Sequence, residues 1–239
     1  MGIKLSRAKP RNWLLTFSYR LNKVMPFSHA FKHKLFLRLE WIFERLAHEE
    51  SLYVYDPEKH PCRYLGKEYI LKHISTSDRV LDIGCNLGEV TDYVASKASE
   101  VIGIDHNAGA IQIASGKFKR NNLHFYHADA RTFLKTQQGT FDVLILSHIL
   151  EHLDNPKEFL LEFAPAFNHI YIEVPDFDKT ILNHYRQAMN ETLIYTDDDH
   201  VSEWDRLELN KLIETSGMEI IEQEYRFGLQ KLWCRRLPS

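Results

Sequence analysis

The alternation of apolar and polar positions changes period along the chain. Over residues 1 to about 50, large apolar side chains and bases recur at helical spacing, as in "FSHAFKHKLFLRLEWIFERLAHE", which predicts amphipathic helix with Ser28 as N-cap after Pro26. Pro61 opens another predicted helix, closed by the polar connector "STSDR". A domain boundary is expected between about 50 and 75. From there short apolar runs alternate with helical stretches: "RVLDIG" with "EVTDYVASKA", "EVIGID" with "AGAIQIASGKF", then "LHFYHAD", and "FDVLILS" with "PKEFLLEFAPA" before "HIYIEVP". Such alternation predicts βαβ units and a parallel sheet with right-handed crossovers. After Pro175 follow a helical stretch, the polar loop "TDDDH", a further helix, and "MEIIEQEYRFGLQKLWCRRL", which reads as two antiparallel strands around Gly228.

Composition narrows the class. With 239 residues, 44% of them hydrophobic, the chain suffices for one α/β domain plus an appendage. Cys62, Cys85 and Cys234 are an odd set without a CxxC pair, which argues against a disulfide framework or zinc knuckle and predicts a reducing, cytoplasmic setting. The net charge of -3 argues against a generally basic nucleic-acid binder, but the charge is uneven. Lys4, Arg7, Lys9, Arg11, Arg20, Lys23, Lys32, Lys34 and Arg38 face no acid within residues 1–38, which leaves that segment at +9 and the remainder at -12. No signal peptide or membrane-spanning run is read from the sequence, so a soluble protein is expected, with attachment to a membrane surface through residues 1–38 as one reading.

In an open parallel sheet, ligands bind beyond the carboxyl ends of the strands. The first strand ends in Asp82-Ile83-Gly84-Cys85-Asn86-Leu87-Gly88, where glycines let the backbone approach a ligand. The second ends at Asp105-His106, an acid placed to accept from both ribose hydroxyls, and the third at His127-Ala128-Asp129-Ala130, where a carboxylate can accept from an adenine amine. The fourth ends at Ser147-His148. Any one of these acids alone reads as a cap or turn residue; together they outline an adenosine pocket.

These residues resemble the class I S-adenosylmethionine-dependent methyltransferases of the small-molecule and glycan type. "VLDIGCNLG" is similar to that family's first motif, "VIGIDHN" to its ribose-binding second strand, "HADA" to its adenine-contacting turn and "FDVLILSHILEHLDNP" to its fourth strand and following helix. The resemblance covers about residues 66–239. It implies a Rossmann-like, doubly wound seven-stranded α/β sheet, mostly parallel, with a C-terminal antiparallel hairpin and an N-terminal helical cap. Residues 1–60 are then the basic amphipathic extension and 61–239 the methyltransferase domain. It also implies S-adenosylmethionine as cofactor, held by Asp82, Gly84, Cys85, Asn86, Gly88, Asp105, His106, Asp129, Ala130 and Ser147, with Asp82 meeting the ammonium of the methionine moiety. Asn86 departs from the second glycine of the common pattern, and asparagine tolerates the positive φ such a position needs. The spacing DxGxxxG also differs from the GxGxxG that serves a dinucleotide diphosphate, which sets aside a nicotinamide dehydrogenase.

For the methyl acceptor, "SHILEHL" sets His148, Glu151 and His152 on one face of a predicted helix, and "DDDHVSEW" presents His200, Glu203 and Trp204 in a later loop. Three readings stand: Glu151 and His152 orient the helix beside the cofactor, His152 or His200 is the catalytic base for a hydroxyl, or His148, Glu151, His152 and His200 converge on a divalent ion. The last looks like the magnesium site of small-RNA 2′-O-methyltransferases, except that His148 stands where those have a glutamate. No Asn/Asp-Pro-Pro-Tyr/Phe motif follows the fourth strand, so O-methylation of a small molecule, sugar or glycan is expected, with RNA 2′-O-methylation or a non-catalytic cofactor-binding module as alternatives. The basic N-terminal segment reads as a lid over the site, as a membrane anchor using Trp13, Leu14, Leu15, Phe17 and Tyr19, or as an arm for RNA phosphates.

Overall fold

The computed structural model describes residues 12–56, 60–136 and 140–237, and of residues 61–66 the backbone only. Lys4, Arg7, Lys9 and Arg11 of the basic segment lie outside the described residues. Two helices come first, α1 (Trp13–Val24) and α2 (His29–Val54), each opened by a side-chain cap: Asn12 accepts from Leu15 N–H and Ser28, as expected, from Phe31 N–H. The helix α3 (Pro61–His73) has proline in its first turn, where no amide hydrogen is needed.

Five parallel strands then appear: β1 (Arg79–Ile83), β2 (Glu100–Asp105), β3 (Leu123–His127), β4 (Val143–Ser147) and β5 (His169–Pro175). Between them run α4 (Glu89–Ala95), α5 (Ala108–Lys117), α6 (Ala130–Thr136) and α7 (Pro156–Phe163), and after β5 come α8 (Ile181–Ala188) and α9 (Arg206–Thr215). The hairpin of β6 (Met218–Arg226) and β7 (Leu229–Arg236) completes a seven-stranded sheet in the order β3-β2-β1-β4-β5-β7-β6, with β7 antiparallel to both neighbours. Phe227 (φ 55°) and Gly228 (φ 77°) make the two-residue left-handed turn that matches strand twist, at the place the sequence predicts.

Both faces of the sheet are covered, and the strands are apolar at successive positions because of it. Leu81, Ile102, Leu144 and Ile172 pack with α6, α7 and α9 on one side, while their neighbours Val80, Val101, Val143 and Tyr171 pack with α3 and α4 on the other. Cys85 and Cys234 are buried free thiols.

One feature departs from the sequence pattern. The helix expected over "SHILEHL" is a single 3₁₀ turn, Leu150–His152. His148 is left-handed (φ 55°), because its N–H is spent on Glu173 C=O across the sheet (2.9 Å), and Asn155, standing before Pro156, is kept out of the helical region. The N-terminal extension, in turn, is tied to the segment after β5. The guanidinium of Arg186, 1% exposed, donates to Leu37 C=O and pairs with Glu40 of α2, Trp41 Nε1 donates to Tyr195 C=O (2.7 Å), and Glu191 pairs with Arg38 (2.6 Å). Glu40 is part-exposed, so removing it leaves the buried guanidinium short of one acceptor, at a cost of about 1–3 kcal/mol.

Candidate active site

The order of the strands reverses between β1 and β4, and the cleft opens at their carboxyl ends. It is about 930 Å³, near the upper end of the roughly 300–1,000 Å³ usual for small-molecule sites. The elbow after β1 forms one wall. Gly84 (φ 72°), Asn86 (φ 46°) and Gly88 (φ 77°) are all left-handed, so the asparagine does adopt the conformation its position calls for. A Cβ at Gly84 would lie 2.2 Å from Ile149 Cδ1, and one at Gly88 2.6 Å from the Phe125 ring. Gly88→Ala therefore combines a backbone penalty with a clash against an aromatic ring. The expected loss is about 2 kcal/mol, a fall in Tm of about 4–8 °C by thermal melt, and an unchanged Tm would contradict the elbow as described.

Asp82 is the buried anion behind this elbow. The Thr91 hydroxyl donates to its Oδ2 (2.7 Å), but burial dominates and, with Asp105 nearby, pushes its pKa up to about 7. A cation arriving at the cleft would favour its charged form. Asp105, at the end of β2, accepts from Asn86 N–H (2.9 Å) and Asn107 N–H (2.8 Å), one bond to each oxygen. Since a carboxylate offers about four acceptor sites, two remain for a diol. Asp129 is exposed and caps α6, accepting from Thr132 N–H and its hydroxyl (3.0 and 3.1 Å), and these bonds hold its pKa below the usual value.

The structure gathers some of the sequence-derived residues and leaves others apart. Asp82, Gly84, Cys85, Asn86, Ser147, His152 and His200 line the cleft, as does His148. Asp105, His106, Asp129 and Ala130 stand outside that lining, at the ends of β2 and β3, whose adjacency is fixed by Ala128 N–H donating to Asp105 C=O (3.1 Å). A backbone cradle that side chains would fill, beside a buried carboxylate poised to ionise, fits a cofactor with a cationic amino-acid end.

A second group of side chains hangs from the ends of β4 and β5. His148 Nδ1 lies 2.9 Å from Glu151 Oε1, and its Nε2 lies 3.5 Å from Glu173 Oε1. Desolvation opposes charge on this ring, yet Glu151 and Glu173 outweigh it and raise its pKa to about 10. Glu173 is kept ionised against its burial by His148, the Tyr171 hydroxyl (2.6 Å) and Lys231, and it also accepts from Ser147 Oγ (3.0 Å). The sequence reading missed Glu173. Its signal was available, because "YIEVP" ends an apolar strand in an acid just as "VLDIG" and "VIGID" do. Glu40, Glu44 and His48 of α2 also line the cleft and were likewise missed.

His152 and His200 meet although 48 positions separate them in the sequence. The C=O of Glu151 accepts from Val201 N–H (2.8 Å) and Ser202 N–H (3.2 Å), which pins the later loop against the 3₁₀ turn. The two rings stand edge to face, 4.9 Å between centroids. His200 Nδ1 is 2.6 Å from Glu203 Oε1; burial opposes its charge, but Glu203 first and Glu151 and Asp197 after it raise its pKa. Glu203, also buried, accepts from Thr196 N–H and hydroxyl. Glu151, His152 and His200 each offer one ligand atom within 4.8 Å of the others, and Oε2 of the fully buried Glu151 has no hydrogen-bond partner among the described residues. Two imidazoles and a carboxylate suit a borderline ion such as Zn²⁺ or Mn²⁺ better than Mg²⁺.

Comparison with known proteins follows the same lines. The sequence profile of the family described as "Methyltransferase domain" matches residues 31–223. A ubiquinone biosynthesis O-methyltransferase of Maricaulis maris is 32% identical over 88 residues, 36% of this chain and 35% of that protein. An uncharacterized RNA methyltransferase of Leptospira interrogans is 30% identical over 107 residues, 43% of this chain and 27% of that protein. The chain spans less than half the length of the first curated relatives it matches. Among solved structures, the plantazolicin methyltransferase BamL, determined with S-adenosylhomocysteine, superposes with a TM-score of 0.58 at 16% identity, covering 80% of this chain and 91% of that one. Magnesium protoporphyrin IX methyltransferase of Synechocystis PCC 6803, also with S-adenosylhomocysteine, gives 0.55 at 17% identity over 72% of this chain and 80% of that one. At such identities the likeness is one of fold. Because the family match runs from within α2 into β6, and so takes in the ends of all five parallel strands, the chain belongs to the methyltransferase-domain family.

Proposed function

We propose that this enzyme O-methylates a hydroxyl of a small molecule, with a sugar, glycan or phenolic ring as acceptor and His152 as the group that takes the proton. The observation that carries the reading is the His152–His200 pair, held on the cleft beside the Gly84–Gly88 elbow. S-Adenosylmethionine, when bound, supplies an electrophilic methyl group on a sulfonium. The chain's part is then to align the acceptor oxygen with that carbon, exclude water and remove the hydroxyl proton. His148 is unsuited to the last task, since a ring with a pKa of about 10 is already protonated at neutral pH. His152, exposed at the cleft wall with its Nδ1 3.6 Å from Asp199 Oδ2, presents a ring that a substrate can reach.

The names of the relatives at 27–32% identity, ubiquinone biosynthesis O-methyltransferases, support an oxygen acceptor on an aromatic ring. A cleft of about 930 Å³ supports room for an acceptor beside a cofactor. The test is a panel of catechols, phenols, sugars, glycans and short RNAs with isotopically labelled S-adenosylmethionine. Label in a phenolic or sugar ether is the expected result, and transfer to RNA alone would replace this reading with the nucleic-acid one. A second reading has its own observation, the unpartnered Oε2 of Glu151. If a divalent ion bridges Glu151, His152 and His200, chelation abolishes transfer and Zn²⁺ or Mn²⁺ restores it.

A further inference from the structure

The first two helices carry far more apolar surface than the fold uses. No residue of α1 is buried. At about 100° per residue, Trp13, Leu14, Phe17, Leu21 and Val24 fall on one stripe of this helix, and all five are exposed, Trp13 at 78%. Arg20 and Lys23 flank that stripe, and neither forms an ion pair among the described residues. Leu15 and Tyr19 fall on other faces of α1, which corrects their place in the anchor expected from the sequence.

α2 is two-sided. Leu37, Glu40, Trp41, Glu44 and His48 turn toward α8, the following loop and the cleft. The opposite side shows Leu39, Ile42, Phe43 and Leu46, with Phe43 63% exposed. No helix among the described residues is long and apolar enough to cross a membrane, so these faces suit lying on a surface rather than passing through it.

We propose that α1 and the outward face of α2 dock in the interface of an anionic lipid bilayer, with the apolar stripe of α1 among the acyl-chain boundary and Arg20 and Lys23 at the headgroups. Charge decides between this occupant and a second copy of the chain. Arg20 and Lys23 stand on α1, which has no acid in its twelve residues, so two copies of this helix brought together would repel, whereas an anionic surface complements them. Since α2 walls the cleft with one face and bears the exposed apolar residues on the other, docking would set α2 between the cleft and the lipid surface.

The test is co-flotation of the full chain with vesicles of phosphatidylcholine alone and of phosphatidylcholine mixed with phosphatidylglycerol, at low and high salt. Partition onto the anionic vesicles is expected to be on the order of tenfold tighter than onto neutral ones and to weaken with salt. The double variant Phe17→Glu/Leu21→Glu changes exposed positions only; it should keep its circular dichroism spectrum and its S-adenosylmethionine affinity while losing flotation. Equal flotation of this variant and the parent, or no flotation of the parent, overturns the proposal. So does a parent that remains a dimer on dilution, fails to float, and becomes monomeric in the variant, because that result assigns the face to a second copy.

Discussion

Asp82→Asn is expected to stabilise the cofactor-free protein at pH 8 and to weaken S-adenosylmethionine binding at least tenfold in the same buffer. Both effects come from one buried carboxyl. Its pKa lies near 7 in the folded chain and near 3.9 in an unfolded one. The unfolded state therefore loses the proton first, and stability falls as pH rises from about 4 to about 7. That loss amounts to up to about 4 kcal/mol once both states are ionised. Asparagine has no charge to desolvate, and its carbonyl can still accept from the Thr91 hydroxyl, which donates to Asp82 at 2.7 Å. Yet the same substitution removes the anion available to a cationic amino-acid end. The parent should bind S-adenosylmethionine about tenfold more weakly at pH 6 than at pH 8, releasing close to one proton on binding at the lower pH. The variant should show neither the slope nor the proton release. Calorimetry in two buffers of different ionisation enthalpy reads both. A variant that binds as tightly as the parent, with no gain in Tm, would show that Asp82 is neither a buried charge in the free protein nor the partner of the cofactor's ammonium.

Much of this architecture could be read from the sequence because it is local. Apolar runs of strand length between helical stretches gave the five parallel strands, and the turn residues Phe227-Gly228 sit where the last two apolar runs meet. Asn86 announced its left-handed backbone by residue type, since few other side chains tolerate it. What could not be read depends on partners far away in the chain. The "SHILEHL" segment has helical spacing, but His148 N–H is drawn to β5 and the following Asn155-Pro156 forbids helix, so a tertiary bond overrode the local pattern. The pairing of Arg186 with Glu40 joins residues almost 150 positions apart, and neither helix's periodicity foretells it. Glu173 differs from these, since its strand-end position in "YIEVP" was legible, and only its role as partner of His148 and Ser147 needed the structure.

His152→Ala should lower kcat by about 10²–10⁴-fold while the Kd for S-adenosylmethionine stays within about twofold, because the ring belongs to the 3₁₀ turn after β4 and is no part of the Gly84–Gly88 cradle. The size follows from removing the proton acceptor of the transition state, and the split between kcat and Kd separates this from a collapse of the site. Two neighbours sharpen the test. His148 is fixed as a cation, so an acidic limb in the parent's kcat against pH does not come from it. His200 has a raised pKa through its bond to buried Glu203, so a limb lying clearly above the ordinary imidazole range assigns the proton to His200, and His200→Ala should then be the more damaged variant. Chelation separates base from ligand. If His152 acts as base, the chelator-treated parent keeps its activity and the variant loses the limb; if it holds an ion with Glu151 and His200, the treated parent falls to the level of the variant and recovers with metal. A variant retaining more than about a tenth of the parental kcat, against the expected hundredfold loss, would reduce the His152–His200 contact to packing and leave the acceptor proton to water.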